Sequence, residues 1–124
     1  MAIKNPIPVF RSFDEQMAKK FYVEFLGLKV DWEHRFEEDF PLYMQVSRDD
    51  LILHLSEHHG DATPGSSLRV EVKDIDAYRE ELTGKVYKYA NPGIQDQPWG
   101  TRDMMLTDPF GNKLIFYSDL DQRT

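Results

Sequence analysis

Between Leu51 and Ser56 apolar side chains at positions 51, 53 and 55 alternate with Ile52, His54 and Ser56, the period-two signature of a strand half-buried on one face. The same alternation recurs in "LRVEVK", where Leu68, Val70 and Val72 interleave with Arg69, Glu71 and Lys73. Two other segments repeat at helical spacing. In "SFDEQMAKKFYVEFLG" Phe13, Met17, Phe21 and Phe25 fall four apart, Ser12 and Glu15 form a capping box, and Gly27 supplies the stop. In "DIDAYREELTG" a helix starts at Asp74 or Asp76, gathers Ile75, Tyr78 and Leu82 on one side and ends at Gly84.

A short strand precedes each helix: "IPVFR" and then "LRVEVK". Further extended segments are predicted around Lys29 to Phe36, Leu42 to Ser47 and Leu51 to Ser56, and again around Lys85 to Tyr89, Thr101 to Thr107 and Lys113 to Ser118. Strand, helix and three strands, written twice, is an internal duplication. "LGLKV" at Leu26 and "LTGKV" at Leu82 occupy the same place in both units. The expected class is α+β: one domain over 1–124, made of two βαβββ modules at about 5–58 and about 66–119 whose sheets form a concave cup. Each sheet hides one face under its helix. The turn "TDPFGNK" closes the last hairpin. Pro6 and Pro8 require a sheet edge, or a strand whose amides are unpaired at those positions.

Composition narrows the function classes. The 124 residues suffice for a core without staples, and the lack of cysteine removes disulfides, iron–sulfur clusters and thiol catalysis. No secretory leader pattern or membrane-length apolar run is visible, so the expectation is a cytoplasmic protein with no membrane partner. A formal charge of −7 repels nucleic-acid phosphate and favours cationic ligands. Aromatic residues make up 13% of the chain, and Trp32, Phe36, Phe40 and Trp99 sit in polar surroundings that suit either a flat ligand or a subunit interface.

Three of four histidines fall in "LILHLSEHHGD". His54 and His58 would share a helical face, as zinc hydrolases require, but the alternation marks a strand that leaves His58 and His59 in a turn with Gly60 and Asp61. A metal site assembled from Glu57, His58, His59 and Asp61 would rest on a turn, which rarely fixes ligand angles.

The paired units, "FYVEFLGLKV", "HLSEHHGD", "VEVKDIDAYREEL", "QPWG" and "DPFGNKLIFY" resemble the glyoxalase and bleomycin-resistance group of the vicinal oxygen chelate superfamily, from about Ile7 to Tyr117. Metal-using members of that superfamily take ligands at four strand positions, which hold Pro6, His54, Ser67 and Ile115 here, Pro6 to Ser67 and His54 to Ile115 being the same offset. Proline and isoleucine cannot coordinate and serine is a poor ligand, whereas catalytic sites generally need three protein ligands. The resemblance therefore implies no cofactor and no bound metal, closest to the metal-free bleomycin-resistance proteins, which sequester the drug as homodimers with clefts between subunits.

On that resemblance the ligand is a bulky, flat, cationic small molecule such as a bleomycin-type antibiotic. The expected contacts are Trp32, Phe36, Phe40 and Tyr43 from "DWEHRFEEDFPLY", His54, Trp99 stacking from its loop, Asp103 and Met105 from one face of "TRDMML", and Tyr117. The same pattern admits core or interface roles for the rings of 31–43 and a packing role for Trp99. Arg69 and Glu71 are placed to pair with each other across the cup or to reach the ligand. The alternatives are a metal-dependent glyoxalase- or dioxygenase-like enzyme with a relocated ion, and a partner-binding module of the same fold.

Overall fold

The computed structural model describes residues 1–85, 87 and 92–120. Module one comprises β1 (Val9–Arg11), α1 (Glu15–Lys19) prolonged by a π-helical stretch (Lys20–Phe25), β2 (Lys29–His34), β3 (Tyr43–Arg48) and β4 (Leu51–Ser56). Module two comprises β5 (Ser67–Glu71), α2 (Ile75–Thr83), β6 (Gly93–Asp96), β7 (Thr101–Thr107) and β8 (Lys113–Asp119). The sheets have matching orders, β1-β4-β3-β2 and β5-β8-β7-β6, each with one parallel pair between its first and last strands. These are two βαβββ modules with open, concave sheets, as the duplication predicts.

Both helices begin where an aspartate folds back on the backbone: Asp14 accepts from the Met17 amide and Asp74 from the Ala77 amide. The first cap is therefore Asp14 and not the Ser12–Glu15 box. Ser12 is buried beside β4, its amide donating to the Ser56 carbonyl, while Glu15 pairs with Lys19 and Arg35. Because the helix starts after Phe13, the four-residue apolar series marks the buried side only in its second half. Phe13 and Met17 are exposed, and Ala18, Phe21, Tyr22 and Phe25 are buried. Past Lys20 the turns widen, with the Leu26 amide reaching back five residues to Phe21, which rotates the following side chains into the core. Gly27 ends the helix at φ 83°, and a Cβ there would stand 2.7 Å from the Arg48 guanidinium.

The core is one cluster shared by both modules. It joins Phe10, Met44, Val46, Leu53 and Leu55 from the first sheet to Met104, Leu106, Leu114 and Phe116 from the second, with Phe21, Tyr22, Phe25, Ile75, Tyr78 and Leu82 from the helical segments. Polar contacts fasten the modules together: Tyr78 Oη donates to the Leu26 carbonyl, Arg48 pairs bidentately with Glu81, and Tyr22 Oη donates to buried Asp108. Burial pushes the Tyr22 phenol well above its ordinary pKa, and the Asp108 carboxylate adds to the effect.

Two expectations shift. The extended segment at 85–89 lies largely outside the described residues, and the strand paired with β7 is Gly93–Asp96, which the Pro92 and Gly93 punctuation disguises. The repeat also has two offsets. Val9 pairs with His54 and Arg69 with Ile115, so the first strands are related by 60 positions and the last by 61. The additional residue lies in the turn between β7 and β8, longer than the Asp49–Asp50 turn between β3 and β4. The partner of Ser67 in the repeat is therefore Ile7, one residue from Pro6, and isoleucine is no better a metal ligand. Pro6 and Pro8 precede an edge strand, as required, and the Pro8 carbonyl accepts from the His54 amide.

Candidate functional site

Each sheet turns one face to the core and leaves the other open, and the expected site residues divide between the two open faces. On the first sheet, strand parity places Tyr43, Gln45, His54 and Ser56 on the open side. Trp32 joins them only because β2 carries a bulge. Val30 faces Val46, the register then shifts, and Trp32 faces Gln45 with His34 opposite Tyr43. Were β2 regular through Asp31, Trp32 would share the core side with Val30.

The result is an aromatic wall. Trp32 stacks nearly parallel to Tyr43, with centroids 5.9 Å apart and planes 7° from parallel, and His54 meets both rings edge-on at 5.3 Å and 5.2 Å. Phe36 extends the wall through edge contacts to His34 at 4.8 Å and His58 at 6.1 Å.

One hydrogen-bonded chain runs beneath these rings and fixes the proton positions. Gln45 Nε2 donates to the Asp31 carboxylate at 3.0 Å, so Gln45 Oε1 is the atom that faces His54 Nε2, at 2.9 Å. Nε2 must then carry the hydrogen, leaving the lone pair on Nδ1 to accept the Tyr43 hydroxyl proton at 2.7 Å. Burial lowers the His54 pKa and keeps the ring neutral. Burial, followed by the charge of Asp61, raises that of Tyr43. Hydrogen bonds from Gln45 and then Ser47 lower that of Asp31.

The second open face has different chemistry. Arg69 Nη1 and Nη2 clamp Asp103 at 2.9 Å and 3.1 Å, Nη2 also reaches Thr101 Oγ1, and the guanidinium lies 4.2 Å over the Tyr117 ring. Thr101 Oγ1 donates to Asp103 at 2.7 Å. Burial opposes ionisation of Asp103, but the bonds from Arg69 and Thr101 outweigh it and its pKa is lowered. Arg69 is thus paired with Asp103 across the sheet and not with Glu71. The clamp reaches over the intervening strand β8, which lies between β5 and β7 in the sheet and carries Tyr117 beneath the guanidinium. Met105 shares the face and is 54% exposed, and Trp99 stands in the turn before β7, 65% exposed.

Trp32, Phe36, Tyr43 and His54 therefore come together on one face, and Asp103 and Tyr117 on the other through Arg69. Among the described residues, no hydrogen bond, ion pair or ring contact joins the two groups. Phe40 lies apart: its carbonyl accepts from Arg35, and its side chain helps line a small recess with Phe13 and Pro41. A larger cavity, about 1100 Å³, opens between the modules; Pro6, Ile7, Leu68, Val70 and Phe116 line it together with charged side chains that include Arg48 and Glu81, and of the residues expected to reach a ligand only Arg69 and Glu71 border it. The ring and hydrogen-bond chain of Trp32, Tyr43 and His54 lies on the open face of the first sheet, away from this gap.

Sequence reading missed Asp31, Gln45 and His34. Gln45 shares parity with Tyr43 and could have been found by it, whereas Asp31 and His34 depend on the bulge. Among the described residues, no three His, Asp or Glu side chains are grouped to hold a metal ion. At His54 the nitrogen with the free pair already accepts from Tyr43, and His58 and His59 fall in the expected turn, with the His58 carbonyl held by Arg11. No helix is long and apolar enough to cross a membrane among those residues.

A family model described as "Glyoxalase superfamily protein" matches residues 1–123. No curated protein matches the chain. Among solved structures, an antibiotic binding protein from Streptomyces sp. CB03234, TnmS3, is 27% identical with a TM-score of 0.72, over 96% of this chain and 98% of that one. A bleomycin-binding protein complexed with bleomycin is 21% identical with a TM-score of 0.72, over 94% and 99%. A glyoxalase-related enzyme from Clostridium phytofermentans is 22% identical with a TM-score of 0.73, over 96% and 97%. At these last two identities the likeness is one of fold.

Proposed function

Because the chain belongs to the glyoxalase superfamily, we propose that it is a metal-free binding protein of that group, taking a bulky, flat, cationic small molecule, with bleomycin-type antibiotics as the first candidates. The observation that carries this reading is the parallel Trp32–Tyr43 pair over a neutral His54, on a sheet face that offers rings and acceptors and whose central histidine is already engaged. The likeness to an antibiotic binding protein at 27% identity supports it, as does the net charge of −7.

The ligand-contacting set is Trp32, Phe36, Tyr43 and His54 on one wall and Asp103, Met105 and Tyr117 on the other, with Trp99 at the rim. Phe40, held apart at the Arg35 recess, drops out of it. Two walls on separate open faces make a cleft when a second copy sets its second sheet against the first sheet of its partner. A homodimer with two intersubunit clefts follows from that pairing, and the cytoplasm is its proposed location.

Titration with metal-free and copper-loaded bleomycin, read by tryptophan fluorescence, tests the proposal, since one tryptophan lies in a proposed wall and the other at its rim. Saturable quenching at micromolar drug or below is expected; no change at tens of micromolar overturns bleomycin as the ligand class. Sedimentation analysis on the same samples is expected to give a dimer, and a monomer at saturating drug removes the two-wall cleft.

A further inference from the structure

The hydrogen-bonded chain under the aromatic wall restricts what a ligand can present there. A tyrosine hydroxyl has one proton to give. That of Tyr43 goes to His54 Nδ1, whose lone pair is free to accept because Nε2 carries its hydrogen toward Gln45, and Gln45 is held in that orientation by Asp31. Tyr43 Oη therefore faces the open side of the sheet with lone pairs only.

We propose that Tyr43 is the specificity-determining acceptor of the cleft, selecting flat ligands that direct an N–H or O–H donor at its oxygen and rejecting those that bring an acceptor. The inference rests on the aromatic-wall reading above and adds the polarity of its central polar contact. A second feature points the same way. Asp61, which accepts from Ser56 Oγ at 2.7 Å directly across the β3–β4 pair from Tyr43, sets a negative charge near the hydroxyl and favours the positive end of a donor. A ligand carbonyl or ether placed at the same point meets two lone pairs and leaves both acceptors without a hydrogen bond.

The chain also passes the preference on. Asp31 orients Gln45 and Gln45 orients His54, so both are positioning residues for Tyr43.

Two uncharged probes with the same rings separate these cases: 2-naphthol, which donates, and 2-methoxynaphthalene, which only accepts. The wild-type protein is expected to bind the naphthol roughly three- to tenfold more tightly, the span of one neutral hydrogen bond, and Tyr43→Phe is expected to reduce the ratio to about one while still binding the ether. Equal binding by the wild type, or a preference that survives in Tyr43→Phe, overturns the acceptor role and leaves the aromatic wall standing. Failure of both probes to bind overturns wall and acceptor together. Nitrogen-15 spectra of the histidine rings give a check that needs no ligand: His54 is expected to be the Nε2–H tautomer at neutral pH in the wild type. A hydrogen on Nδ1 instead overturns the proposal whatever the probes do.

Discussion

The two open faces occupy the same places in a duplicated scaffold and share almost no chemistry. Strand pairing matches Trp32 with Gly93, His34 with Gln95, Tyr43 with Asp103, Gln45 with Met105, His54 with Ile115 and Val9 with Arg69. One wall is built of stacked rings over a neutral imidazole in a hydrogen-bonded chain, the other of an arginine–aspartate clamp over a single tyrosine. The inner faces contrast with this: Met44 matches Met104, Leu53 matches Leu114, and Leu55 matches Phe116, all buried. Packing holds the inner faces to similar shapes, because a change of one methylene is felt in a close-packed interior. No such constraint acts on faces that meet solvent or a ligand.

If that is the correct contrast, matched truncations on the inner faces must cost alike. Leu53→Ala and Leu114→Ala are each expected to lose about 2–5 kcal/mol in chemical denaturation, and a difference beyond that range would show that one module carries most of the stability. The junction between modules comes next. Gly27→Ala forces a left-handed residue against Arg48 and is expected to cost about 1–3 kcal/mol, recovered in part when Arg48 is shortened to alanine in the same chain.

Changes on the open faces should reverse the pattern, with little lost in stability and much in binding. Trp32→Ala and Trp99→Ala are each expected to weaken bleomycin binding by roughly tenfold or more in calorimetry, the loss typical of aromatic anchors. An unchanged affinity for Trp99→Ala would assign that ring to loop packing.

Smallest is the response to acid, where the two faces differ in pH window. His54 is held neutral, with its folded pKa below the ordinary value of 6.5, so the unfolded chain binds its proton first and stability falls as pH drops below 6.5. Asp103 has a folded pKa below the ordinary 3.8, so its contribution is present above that value and is lost as pH falls further, toward the folded pKa. A melting series from pH 8 to pH 3 in wild type and His54→Phe is expected to differ mainly in the upper part of that interval. These limits are set about one unit either side of the two ordinary pKa values.

Much of the fold was legible in the chain. Alternation at Leu51–Ser56 and Leu68–Val72, the helix around Ile75, Tyr78 and Leu82, and the stop at Gly27 each rest on a local rule that tertiary packing reinforced. Errors arose where two rules competed. Ser12 and Asp14 are both good caps, and only the bond from the Ser12 amide to β4 decides between them. The strand at Gly93–Asp96 follows Pro92 and starts with glycine, both of which read as loop.

The site was legible by residue type and only partly by arrangement. Tyr43 and His54 are antiparallel neighbours whose shared side follows from parity, but Trp32 owes its place to a one-residue bulge with no sequence signal of its own. Which face meets which is not written in one chain's strand pattern at all, since that pattern sets only inside and outside for each sheet.

The sheet order leaves β1 and β5 each bonded on one side only. An unpaired margin of this kind invites runaway stacking of one molecule on the next, the route to fibrils. Here β1 is three residues long and is preceded by two prolines that lack amide hydrogens, while β5 runs into the charged series Arg69, Glu71 and Lys73. An incoming strand finds too short a ladder on the first margin and a run of charged side chains on the second, so backbone pairing at these two margins is discouraged.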